Sequence, residues 1–122
     1  MDAIKHRQKA ERVERSLAKL QSGDYELRIE AAMLAATHWL NGSLHKLGAN
    51  GVDSDVLHTY MLTINEFRRL SAANAALLQA VARIEDLRPL HVRGDLPDGP
   101  AVADEACELL AEVREIAVRL GC

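Results

Sequence analysis

Apolar residues return every three to four positions along nearly the whole chain and never alternate one by one, which predicts helices and no strands. A first helix is expected over about Asp2–Gln21. Ile4, Ala10, Val13, Leu17 and Leu20 face inward, and Lys5, Arg7, Lys9, Arg12, Arg15 and Lys19 cover the rest. Ser22-Gly23 ends it, and Asp24 is placed to cap its successor. The second helix, about Tyr25–Leu47, carries a wide stripe of Ile29, Ala32, Met33, Ala36, Trp39, Leu40, Leu44 and Leu47. Its near-continuous apolar run, Ala31–Ala36, predicts cover on more than one side. Gly48 has the place of a C′ glycine.

Asp53-Ser54-Asp55 then offers N-cap oxygens to a long third helix, whose inward face reads Leu57, Met61, Ile64, Phe67, Leu70, Leu77, Leu78, Val81, Ile84 and Leu87. A break near Ser71-Ala72-Ala73-Asn74 would split it in two. Pro89 is expected to close it, because the residue before a proline is pushed out of the α region. A loop from Pro89 to Pro100 leads to a last helix, which reaches about Leu120. That helix buries Ala103, Ala106, Leu109, Leu110, Val113, Ile116, Ala117 and Leu120. The expected fold is one all-α domain over residues 1–122, an antiparallel four-helix bundle, or five helices if the third is broken.

Composition narrows the function classes. Apolar residues are 48% and charged residues 27%, which suits a packed soluble domain and not a disordered chain. Aromatics are only 3%, so the core must be aliphatic and rich in alanine, which lets helices approach closely. A net charge of −3 gives no whole-molecule attraction for nucleic acid. Cys107 and Cys122 match no metal or redox spacing and read as a buried small residue and a terminal thiol. The charged N-terminal stretch and the shortness of every apolar run predict a cytoplasmic protein without membrane contact.

Candidate chemistry is sparse. No Glu stands three residues before any of the five histidines, the pairing a helical di-metal carboxylate site wants. His38 and His45 share a face of the second helix and would serve as ligands only if a carboxylate from elsewhere joined them. All five histidines are therefore read as core-edge or solvated, with no metal and no cofactor assigned. No nucleophile elbow, phosphate-binding glycine loop or dinucleotide fingerprint occurs. The basic face of the first helix is interleaved with Glu11 and Glu14 and lacks aromatic stacking platforms, so it reads as solvated.

The segment Arg83-Ile84-Glu85-Asp86-Leu87-Arg88-Pro89-Leu90-His91-Val92-Arg93-Gly94 is sharper. Arg83, Arg88 and Arg93 gather with His91 where a helix runs into a loop. Arginine holds phosphate bidentately, and a histidine titrating near neutrality can move the proton of an RNA 2′-hydroxyl. The alternative is structural: Arg83 and Arg88 pair with Glu85, Asp86 or carboxylates of the last helix, while His91 caps a helix end.

At this segment the chain resembles small stand-alone HEPN (higher eukaryotes and prokaryotes nucleotide-binding) domain proteins. The likeness is carried by a charged first helix (Lys9-Ala10-Glu11 to Leu17) and a Gly23-Asp24-Tyr25 turn. It continues in the Ala-rich Glu30–Trp39 stretch, Lys46-Leu47-Gly48, the helix-end Leu87-Arg88-Pro89-Leu90-His91-Val92, and the final Ala103–Leu110. The resemblance implies a four- or five-helix bundle, a homodimer with the arginine-bearing helix end at its interface, and nucleotide, RNA or a nucleotidyltransferase as partner, commonly within toxin–antitoxin pairs. Some members cleave RNA with an Arg, four to six residues, then His. Here two residues separate Arg88 from His91 and seven separate Arg83 from it. That departure favours a non-catalytic binding module. The alternatives are a metal-independent ribonuclease using His91 with Arg88, and a scaffolding bundle with no site.

Overall fold

The computed structural model describes residues 1–122. It holds five α-helices and no strand: α1 (Ala3–Leu17), α2 (Tyr25–Lys46), α3 (Ile64–Ala73), α4 (Ala75–Arg88) and α5 (Gly99–Arg119). A 3₁₀ turn (Thr59–Met61) and a π turn (Pro89–Arg93) complete it. No helix is long and apolar enough to cross a membrane.

Helix α2 is the centre, packed against α1, α4 and α5. Small residues make this possible. Ala32, Ala35 and Ala36 on α2 and Ala103, Ala106 and Ala117 on α5 are buried, so the two backbones can lie close. Arg28 near the start of α2 reaches Asp104 near the start of α5, so these two helices run the same way. Arg114 near the end of α5 pairs with Glu14 of α1, and Arg83 of α4 pairs with Glu105 of α5. Trp39, the largest core side chain, lies 1% exposed and satisfies its indole N–H on Glu14 Oε2 at 2.8 Å.

The second helix keeps its expected bounds, while the first ends at Leu17, about a turn before the expected Gln21, and shifts its face. The buried positions of α1 are His6 and Ala10, with Val13 and Leu17 half-buried, a run of fours and threes. Ile4 falls off that stripe and is 67% exposed. Gly48 has a φ of +68°, as a helix-ending glycine should, and Asp24 stands at the N-cap of α2. Its carboxylate, however, accepts from the Gln21 N–H instead of capping.

The third helix departs most from expectation. Residues 53–58 are not helical, α3 begins only at Ile64, and Asn74 interrupts the ladder before α4. Leu57, Met61 and Ile64, expected in the core, are 67%, 65% and 72% exposed. The physical reason lies in two side chains that take the backbone groups a helix would have used, and in a third that is drawn away from capping. Asn41, buried in α2, donates to the Val56 carbonyl and accepts from the Val56 N–H, both at 2.7 Å. Glu85, buried in α4, accepts from the Thr59 N–H and hydroxyl. Asp55 is held by two histidines and caps nothing. The caps of α3 and α4 are Thr63 and Asn74.

The α-helical winding of α4 stops at Arg88, directly before Pro89 as expected, but Arg88 itself keeps α-region backbone angles and the chain goes on turning. A proline ring crowds the carbonyl four residues back, and the chain widens into a π turn whose closing bond runs from the Gly94 N–H to the Pro89 carbonyl. The irregular loop is thereby reduced to residues 94–98. Asp98 adopts a left-handed backbone (φ +68°), and its side chain caps nothing. The cysteines exchange their expected roles: Cys122 is buried and Cys107 half-buried.

Candidate functional site

The arginine-rich helix end forms only in part. Arg83 is turned to α5 and bonds Glu105 with Nε at 3.2 Å and Nη2 at 3.1 Å. Arg88 is half-buried and donates from Nε to Glu30 of α2 at 2.5 Å, with the Tyr60 hydroxyl adding to the hold on its charge. Two of the three arginines are thus neutralised by carboxylates. Arg93 is exposed and makes no ion pair. His91 caps nothing: its ring is half-buried, and Nδ1 is buried without a partner. Arg88 and His91 therefore share one edge of the bundle beside α2, while Arg83 belongs to the α4–α5 seam.

A denser polar cluster lies where the start of α1 meets the end of α2. His6 (2% exposed), His38, His45 and Asp55 converge there from α1, α2 and the segment after it. His6 Nε2 lies 3.1 Å and His45 Nε2 2.8 Å from the same Asp55 oxygen, Oδ1. His6 Nδ1 faces His38 Nδ1 at 3.0 Å, and His45 Nδ1 faces the Asn50 carbonyl at 3.1 Å. Asp55 Oδ2 is 3.4 Å from the Met1 amino group. Gly42 makes this depth possible, since a Cβ there would strike Cys122 Sγ and crowd His6.

Electrostatics follows from that burial. Desolvation is the largest influence on His38 and pushes its pKa down to about 4, helped by the neighbouring His6 and Lys9. His6 is lowered too, again by desolvation, which outweighs its bond to Asp55. Desolvation alone would raise the Asp55 pKa, but the bonds from His45 and His6 outweigh it and hold the carboxyl below its usual range. His6, His38 and Asp55 line a cleft of about 460 Å³, walled by Met33, Leu34, Val56 and Leu57.

No family model, curated protein or solved structure matches this chain. The functional reading is carried by the residues themselves.

From sequence, the histidines were expected to be core-edge or solvated, with no ligand set. His38 and His45 do lie on one face, but the group that closes around Asp55 is His6 and His45. The spacing of seven on α2 is a signal visible in the chain. The partners from α1 and from a non-helical segment are not, because Asp55 reads as a helix cap until Asn41 and Glu85 are seen to unwind that stretch.

Proposed function

We propose that this chain is a HEPN-like, non-catalytic binding module that pairs with a second copy of itself and offers nucleotide or RNA phosphate the helix end bearing Arg88 and Arg93. One observation carries the reading: a run of exposed apolar side chains, Leu57, Tyr60, Met61 and Ile64, whose Tyr60 stands beside Arg88. Exposed apolar surface concentrated in eight residues marks a contact surface. Leu34 of α2 extends it across the cleft from Leu57. The run is flanked on α3 by Glu66 and Arg68, both exposed and neither engaged in an ion pair. A two-fold interface must be self-complementary, and an unpaired acid two residues from an unpaired base satisfies that requirement.

The non-catalytic form is preferred because Arg88 already holds Glu30, Arg83 holds Glu105, and of the three helix-end arginines only Arg93 is free to meet phosphate. The test is a binding and cleavage assay on a short single-stranded RNA in metal-free buffer. Wild type should bind and leave the RNA intact, and Arg93→Glu should weaken binding by about tenfold. RNA cleavage that vanishes in a folded His91→Ala variant would overturn this in favour of a ribonuclease. Affinity unchanged in Arg93→Glu and Arg88→Ala would leave a scaffold without a phosphate site.

A further inference from the structure

Hydrogen-bond accounting around Asp55 does not close with neutral side chains. His45 Nδ1 faces the Asn50 carbonyl, which can only accept, so that nitrogen carries the proton. His45 Nε2 then presents a lone pair to Asp55 Oδ1 at 2.8 Å, and a carboxylate oxygen is also an acceptor. Two electron-rich atoms at that separation need a cation between them, and either a second proton on His45 or a metal ion meets that need. His6 Nε2 is aimed at the same oxygen from the other side, so two imidazole nitrogens and one carboxylate oxygen converge on one point, all within 4.8 Å of one another.

We propose that His6, His45 and Asp55 form a binding site for a divalent first-row transition-metal ion of the zinc class. Two imidazoles and a carboxylate suit such an ion, whereas calcium and magnesium prefer oxygen alone. The surroundings supply what ligating histidines require of their second nitrogen. His45 Nδ1–H donates to the Asn50 carbonyl, and His6 Nδ1, protonated once Nε2 binds metal, donates to His38 Nδ1. Ligand atoms around a tetrahedral ion stand about 3.3 Å apart, so the 2.8 and 3.1 Å separations from Asp55 need to open by about 0.5 and 0.2 Å. The two imidazole nitrogens, within 4.8 Å of each other, need to settle at the same spacing. His6 and Asp55 face the cleft beside Leu57, which leaves a fourth position for water or an incoming ligand. The site is complete within one chain, so its test is independent of pairing and of the arginine edge.

The experiment uses untagged, chelator-treated full chain, titrated with Zn²⁺ by calorimetry and with Co²⁺ by visible absorption. The expected result is saturation at one ion per chain, the intense bands of low-coordinate Co²⁺, and a rise in Tm with added Zn²⁺. His45→Gln and Asp55→Asn should each weaken affinity by about 100-fold, and His38→Gln, which alters only an outer partner, by about tenfold. Circular dichroism identifies which variants remain folded, and Asp55→Asn, nearly isosteric, is decisive if His45→Gln unfolds. Absence of uptake at millimolar Zn²⁺, or affinity unchanged in folded Asp55→Asn, would overturn the site.

Discussion

At the scale of single residues, burial of ionisable groups makes stability depend on pH. His38 stays neutral in the folded chain down to about 4, held there by desolvation and by the charges of His6, Lys9 and Arg12, against the opposing pull of Asp55. The unfolded chain protonates the same imidazole near 6.5, so between these values the unfolded state binds more protons and stability rises with pH. Acidifying metal-free protein from pH 7 to pH 5 should therefore cost on the order of 1–2 kcal/mol. Urea midpoints at the two pH values measure this, and His38→Asn should flatten the dependence. An equally steep loss in that variant would assign the effect to His6 instead. The first of these histidines illustrates why the cluster escapes a one-dimensional reading. His6 lies on the inward stripe with Ala10, Val13 and Leu17, but a polar residue beside an exposed Ile4 invites the opposite assignment.

At the scale of elements, the segment from 53 to 63 shows where local pattern loses to tertiary hydrogen bonding. Its apolar spacing continues that of α3, and helical periodicity alone would carry it on. Asn41 competes by bonding both backbone groups of Val56, and a buried pair of such bonds outweighs one turn of helix. Asn41→Ala would leave the Val56 N–H and carbonyl without partners and should cost about 2–4 kcal/mol, read as a shift in chemical-denaturation midpoint. A shift below about 0.5 kcal/mol would mean that water replaces Asn41 and that the segment is held by Glu85 alone. The helices themselves were legible, because their faces are set by burial against immediate neighbours. α2 and α5 lie near their expected bounds, and the interruption at Asn74 falls where the Ser71–Asn74 stretch weakens the pattern. The π turn was not legible: Pro89 ordinarily ends a helix, and only the Gly94 N–H bond to its carbonyl reveals the wider winding.

At the scale of the molecule, two features stand at separate places on one small bundle. The histidine–aspartate cluster is internal and is built by α1, α2 and the unwound segment. The exposed run from Leu57 to Ile64 begins next to it, and Tyr60 within the run stands beside Arg88. Unwinding residues 53–58 does two things at once: it delivers Asp55 to the histidines and turns Leu57, Met61 and Ile64 outward. Pairing through that surface would bring two copies of the Arg88–Arg93 edge near one another, giving phosphate a larger basic cleft than either chain offers alone.

Sedimentation velocity of the wild-type chain beside a Met61→Glu, Ile64→Glu double variant tests the pairing directly. Both altered positions are exposed, so the variant should fold as well as wild type. The account predicts a dimer at micromolar concentration for wild type and a folded monomer for the variant. A monomeric wild type across that range, or a dimer untouched by both charges, would contradict it.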